Sequence, residues 1–309
     1  MLTLSLLASS VALAEPSPAD AAARALEGLS LSHTVTLQST GQGPKQKVRM
    51  KPEAGTVAAY DLITEQDMAL SMQGPDGQLI PMDGMGNLAP TMVFSVKHQV
   101  HEPVAQGLVP VQVEYTDVAV RDVPPELAQQ MMQGLAPMKG LSFRLLVDPE
   151  AGKAVQADVS VEDQAMYEMT QALADQFVTS MPSFPTEPIG VGAVWTVDLT
   201  MNVSGMSLLT KQKVTVTELS DDHIATKVSF EMAKGDSPMA LPGLPPGASV
   251  DLSRFEGSGQ GELRTDLRSM VSTGSIETII DLQMSVGMGE EGAMGMGMRS
   301  TQTMTMKAK

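Results

Sequence analysis

The sequence contains no cysteine and few aromatic residues: six Phe, three Tyr and one Trp among 309 residues. The absence of cysteine excludes disulfides, thiol catalysis and a lipid-modified N-terminal cysteine. Positive charge is also scarce, because 20 Lys and Arg face 36 Asp and Glu, which gives a net charge of -16. A chain this acidic lacks the basic surface that binds nucleic acid or anionic membranes, so we expect neither partner.

Long apolar runs are missing as well, so we expect no membrane span. Residues 1–14 are uncharged and largely apolar, and Ala12-Leu13-Ala14 fits a signal-peptidase site, although no Lys or Arg precedes the apolar run. We therefore expect a signal peptide over 1–14, a mobile lead-in over 15–28, and a periplasmic or secreted protein.

Alternating apolar and polar residues fill most of the remaining chain, as in Leu29–Leu37 and Trp195–Val203. This period of two is typical of strands with one buried face, so we expect Trp195 to be buried. The same alternation predicts that Ile276, Ile280, Leu282 and Met284 share a face. The prolines and glycines of residues 182–194 form a joint between a first half (29–181) and a second half (195–309). The predicted fold class is α+β, mainly β, with two successive curved antiparallel sheets and two helices packed on them.

The two helices are predicted in the first half, near residues 126–138 and 163–181. The first follows Pro124-Pro125, and its apolar residues are spaced by three and four: Leu127, Met131, Leu135 and Met138. The second has one apolar stripe, made by Met166, Met169, Leu173 and Phe177. Two segments are expected to be irregular: the Pro/Gly-rich stretch 237–250 and the Gly/Met-rich stretch 287–298.

Two motifs carry a resemblance. Pro-x-x-Pro-Ile-x-Val-Gly-x-x-Trp occupies Pro185–Trp195, and Gly-x-Gly-Glu-Leu-x-x-Asp begins at Gly259 and is followed by Gly274. Together they resemble an uncharacterised family of secreted bacterial proteins, domain of unknown function 6263, mainly over residues 140–286. The family usually has an acidic or polar residue where this chain has Ala193. The resemblance implies export and a β-rich fold, with Pro188, Gly190, Gly192 and Trp195 in structural roles, and it supplies no catalytic residues.

Catalytic and metal-binding candidates are few. His98 and His101 suit a metal only on a helix, whereas the surrounding alternation predicts a strand that sends them to opposite faces. His33 lies on an apolar strand face and His223 in a hairpin turn. The glycines of Gly257-Ser-Gly-Gln-Gly261 precede a strand, so no helix N-terminus is available for a phosphate. We expect no catalytic residues and no cofactor.

Methionine is the compositional anomaly, at 25 residues. Most fall on predicted core faces, where Met packs adaptably, so we expect no metal site. The alternative is a Cu(I) site made by Met288, Met294, Met296 and Met298, because thioethers are soft ligands.

These observations predict an exported, non-enzymatic binding or carrier module for an apolar or amphipathic partner. The partner would be a lipid, another amphiphile or another envelope protein, and a ligand would contact Met166, Met169, Leu173 and Phe177 beside the second helix. The alternatives are a structural or protein-interaction module that works through the loop at 237–250, and a Met-rich Cu(I)-binding protein.

Overall fold

The computed structural model describes residues 32–73, 78–81, 89–159, 181–203, 206–235, 248–288 and 293–309, together with Tyr167, Thr170, Leu173, Ala174, Phe177 and Val178. Its fifteen strands are β1 (Ser32–Ser39), β2 (Gln42–Gln46), β3 (Val57–Gln73), β4 (Leu79–Pro81), β5 (Thr91–Val100), β6 (Val109–Arg121), β7 (Ser142–Asp148), β8 (Lys153–Val159), β9 (Ile189–Val191), β10 (Val194–Val203), β11 (Met206–Leu219), β12 (His223–Lys234), β13 (Ala248–Asp266), β14 (Ser272–Met288) and β15 (Ala293–Ala308).

Thirteen strands form one antiparallel sheet in the order β1-β10-β11-β12-β13-β14-β15-β3-β5-β6-β7-β8, with β4 beside β3. Strands β2 and β9 form a separate two-stranded sheet. The prediction of a mainly β fold is confirmed, but the prediction of two successive sheets is wrong. The first strand of the first half pairs with β10, and β15 at the end of the chain pairs with β3. Both pairings cross between the halves and join them in one sheet.

The main core lies on one face of this sheet, which we call the inner face. Trp195 in β10 is 1% exposed, as predicted, and lies opposite Val214 of β11. The segment between β2 and β3 closes one end of the core with buried Val48 and Met50. The Met50 N–H donates to the Pro149 carbonyl at 2.8 Å, which ties this segment to the turn between β7 and β8.

One helix, α1 (Pro125–Leu135), continues into a 3-10 turn at Ala136–Met138. It matches the helix predicted near residues 126–138. For the second predicted helix, the six described residues between 167 and 178 are all helical, and the remainder lies outside the described residues. None of the helices in the described ranges is long and apolar enough to cross a membrane.

The glycines at 257, 259 and 261, which we expected to lead into a strand, lie in the middle of β13. The Met232 side chain lies against Gly257 and the Phe230 ring against Gly259. A Cβ atom on Gly259 would meet the Phe230 ring and would lie 2.7 Å from the Glu277 carbonyl oxygen. This motif therefore gives space to neighbouring side chains and does not form a phosphate loop.

The prediction of a loose segment over 287–298 is wrong for its described residues. Gly287 and Met288 end β14, and residues 293–298 begin β15. From Met296 onwards, β15 is paired on one side with β14 and on the other with β3. Pairing on both sides satisfies the backbone groups of this segment, which outweighs the low strand propensity of its glycines.

Candidate functional site

Two rows of apolar side chains cross the inner face at the far end of the longest strands. We call them the apolar platform. In the first row each residue is opposite the next one on the neighbouring strand: Leu252, Met284, Met296, Met72 and Ile80. The second row contains Phe255, Leu282, Met298 and Leu70. Residues directly opposed in an antiparallel pair point to the same face, so the nine side chains share one surface.

A largely polar row crosses the inner face between the platform and Trp195. It runs across six strands through residues that lie opposite one another: Gln212, Phe230, Gly259, Thr278, Gln302 and Gln66. Phe230 is its one large apolar side chain and packs against the main core. Near its end, the Gln66 amide donates to the Ser300 hydroxyl at 3.1 Å. Accordingly, Leu208 and Leu252 form a second hydrophobic cluster with Phe255, Leu282 and Met284, distinct from the cluster around Trp195.

The platform is only partly covered. Leu252 is 4% exposed, whereas Ile80 at the other end of the first row is 55% exposed. The other seven side chains are half-buried. With only 3% aromatic residues the protein has few rigid aromatic surfaces, and methionine side chains can repack around irregular apolar ligands. The platform can therefore accept an apolar chain.

The opposite, outer face of the sheet has a different chemistry. A shallow groove of about 620 Å³ is lined there by side chains of both signs, including Lys211, Glu231 and Glu277. Beside it, the Lys227 ammonium lies 3.0 Å from a Glu262 carboxylate oxygen. Charges that neutralise each other in water are typical of a solvated sheet face, so the ligand-binding candidate is the inner face.

The two described members of the predicted ligand-contacting set, Leu173 and Phe177, pack against the main core. The Phe177 ring packs edge-on against Phe143 at a centroid distance of 5.4 Å and against Tyr115 at 6.4 Å. Leu173 is also half-buried against the main core. Met166 and Met169 lie outside the described residues, so a cavity beside this helix stays a prediction.

The motif residues Pro188, Gly190, Gly192 and Trp195 lie where the chain crosses between the two sheets. Pro188 is exposed just before β9. The Gly190 N–H donates to the Thr40 carbonyl at 2.9 Å, and a Cβ on this glycine would lie 3.0 Å from the Pro44 carbonyl oxygen. The Gly192 N–H donates to the Val216 carbonyl at 2.9 Å. These contacts are structural.

The four methionines proposed as copper ligands lie at the end of β14 and the start of β15, but the residues opposite them differ. Met288 is the last residue of β14, and its side chain and that of Met294 lie outside the described part of the structure. Met298 lies between Leu282 and Leu70. Met296, however, lies between Met284 and Met72, which brings three thioether side chains to adjacent strands.

The described histidine side chains belong to no metal-binding group. His98 is 6% exposed on β5, opposite Ala58 and Val113, and burial lowers its pKa to about 4. The Nε2 atoms of His98 and His101 are buried and have no hydrogen-bond partner. His33 is in β1, and its side chain is not among those described. In the described ranges no group of three or more His, Asp or Glu could hold a metal ion.

A serine lies beside the remaining histidine. The Ser220 hydroxyl oxygen is 2.7 Å from His223 Nδ1, and the Glu218 carboxylate is 3.7 Å from Nε2. The same hydroxyl oxygen accepts from the backbone N–H groups of His223 and Asp222, at 3.1 and 3.3 Å. It therefore holds the turn between β11 and β12, which is a structural role.

Lys234 was missed by reasoning from the sequence. It is the last residue of β12 and lies opposite Leu208, so its side chain leaves the sheet beside the platform. The alternation of β12 predicts an inward-facing position there. That alternation does not show that the strands beyond β12 place apolar rows next to this position.

Comparison of the chain with protein-family models and with curated proteins found no match. The resemblance to a secreted family therefore stays a prediction. The β-rich fold that it implies is present in the structure.

Proposed function

We propose that this protein is an exported, non-enzymatic module that binds an apolar or amphipathic molecule on its apolar platform. The observation that carries the proposal is the pair of apolar rows, which lie beyond the main core and remain half-buried. Export rests on residues 1–14 of the sequence, which resemble a signal peptide. A periplasmic or secreted binding protein is the function that these features support best.

The dimensions of the platform suit a single acyl chain. Strands lie about 4.8 Å apart, so the distance from β13 to β3 is about 14 Å. An alkyl chain across these strands would gain about 0.8 kcal/mol for each methylene group that it removes from water. Several buried methylenes would outweigh the cost of ordering one flexible chain.

Two substitutions at neighbouring positions test the proposal. Leu282 is on the platform, whereas Gln283 points to the opposite face of β14. We expect the neutral probe N-phenyl-1-naphthylamine to bind the wild type and Gln283→Glu saturably, and to bind Leu282→Glu at least tenfold more weakly. Circular dichroism checks the fold, and Met298→Gln provides a milder platform variant if Leu282→Glu does not fold.

Absence of saturable binding to the wild type would contradict the proposal. It would favour the alternative of a structural or protein-interaction module without a small ligand. Equal binding to Leu282→Glu and Gln283→Glu would move the site away from the platform, for example to the predicted cavity beside Leu173.

The row of three methionines favours Cu(I) binding as a second candidate function. Met72, Met284 and Met296 lie on adjacent strands, and three thioethers form a soft donor set that suits Cu(I). Met→Leu at all three positions keeps the apolar surface but removes the sulfur atoms. Met304→Leu is the control, because Met304 lies between Ile276 and Thr64 on the same face.

Competition with a Cu(I) chelator under anaerobic conditions measures the effect. If the row is a copper site, the triple variant loses at least tenfold in Cu(I) affinity, while Met304→Leu is unchanged. Equal affinity in the wild type and the triple variant would assign these methionines to packing and ligand contact.

A further inference from the structure

The side chain of Lys234 brings a positive charge to the edge of the apolar platform. Lys234 is opposite Leu208, which is 7% exposed and clusters with Leu252. The Lys234 side chain is half-buried, and its ammonium donates to the Leu252 carbonyl at 3.2 Å. A lysine in this position places its methylene stem on apolar surface and its charged end at the rim.

The other charged side chains near the platform differ from Lys234 in the face they occupy or in being paired. The two platform rows contain no charged residue. Arg254 and Glu256 are in the same part of β13, and their side chains form an ion pair at 2.8 Å with each other. Glu256 is opposite Ala233, so it points to the other face from Lys234. Among the side chains that the structure describes, which do not include Asp251, no carboxylate forms an ion pair with the Lys234 ammonium.

We propose that the molecule bound on the platform is a single-chain amphiphile with an anionic head group, and that the Lys234 ammonium binds this head group. The inference rests on the proposed function of the platform. A protein with a net charge of -16 repels anions at long range, so an anionic ligand needs a local cation. A carboxylate or phosphate at the rim would accept a charge-assisted hydrogen bond from the ammonium. Its alkyl chain would then cover Phe255, Leu282 and Met298.

Two ligands with the same alkyl chain separate the head group from the tail. Dodecanoate and dodecanol are titrated into the protein against bound N-phenyl-1-naphthylamine. The variants are Lys234→Met, which removes the charge and keeps an apolar side chain, and Lys227→Met as the control. Lys227 is on the outer face, where it pairs with Glu262 at 3.0 Å.

We expect Lys234→Met to lower the affinity for dodecanoate about tenfold and to leave the affinity for dodecanol unchanged, with Lys227→Met changing neither. Lys234→Arg should retain most of the dodecanoate affinity, which separates loss of charge from loss of fold. Equal dodecanoate affinity in the wild type and Lys234→Met would overturn the head-group inference while leaving the platform intact. If neither ligand displaces the probe from the wild type, the proposed function fails as well.

Discussion

The buried histidine of β5 makes the stability of this protein depend on pH. His98 is 6% exposed, lies opposite Ala58 and Val113, and its Nε2 atom has no hydrogen-bond partner. No charged side chain occupies these cross-strand positions to stabilise an imidazolium. Burial therefore lowers the His98 pKa from 6.5 to about 4.

The direction of the effect follows from the two pKa values. Above pH 6.5 the imidazole is neutral in both states and contributes no dependence on pH. Between pH 6.5 and 4 His98 binds a proton in the unfolded chain but stays neutral in the folded protein. The free energy of unfolding therefore falls as the pH falls. A difference of about 2.5 pKa units corresponds to about 3 kcal/mol. Below pH 4 both states are protonated and the loss levels off.

The perturbation is His98→Leu, which removes the titratable group and keeps an apolar side chain of similar size. Urea unfolding is measured from pH 4 to pH 8. We expect the difference in unfolding free energy between wild type and His98→Leu to change by about 3 kcal/mol across this range, because the carboxylates common to both proteins cancel. Gln99→Leu on the opposite face of β5 is the control and should show a constant difference. Parallel pH profiles for the wild type and His98→Leu would refute the reasoning.

Three substitutions test the packing of the sheet. Gly259→Ala should cost about 1–3 kcal/mol in urea unfolding, because its Cβ would meet the Phe230 ring and the Glu277 carbonyl. Gly134→Ala should instead stabilise by about 0.5–1 kcal/mol, since this residue of α1 has open space around its Cα; a loss of stability there would contradict the assigned helix. Trp195→Ala should cost about 3–5 kcal/mol by circular dichroism, because the indole is 1% exposed. A cost below 1 kcal/mol would place Trp195 outside the core.

Strands and helices whose pattern lies within one short stretch of the chain could be predicted from the sequence. In β14 the alternation placed Ile276, Ile280, Leu282 and Met284 on one face, and in the structure their cross-strand partners confirm a shared inner face. The helix after Pro124 was predicted for the same reason, since proline at a helix start and apolar spacing of three and four are local properties. Burial of Trp195 also followed from alternation alone.

The pairing of strands could not be predicted in this way. Leu37 lies opposite Trp195, and Met72 opposite Met296, across more than half of the chain. The unpaired edge of a sheet can pair with any strand that has a compatible pattern. A period of two determines which side chains share a face of the sheet, but it does not determine which strand pairs with which. The platform arises from such pairings. For the same reason the predicted Cu(I) ligands were the methionines close in sequence, Met288, Met294, Met296 and Met298, and did not include Met72 and Met284.

Methyl NMR of methionine tests the apolar platform most directly. The protein is labelled with ¹³C at the methionine methyl groups, each signal is assigned by a Met→Leu variant, and a nitroxide-labelled fatty acid is titrated in. We predict that the signals of Met72, Met284, Met296 and Met298 broaden first and saturably. Those of Met50, Met138 and Met270, which are buried in the main core, should persist. Broadening that begins at the main-core methionines, or none at any methionine, would contradict a ligand site on the platform.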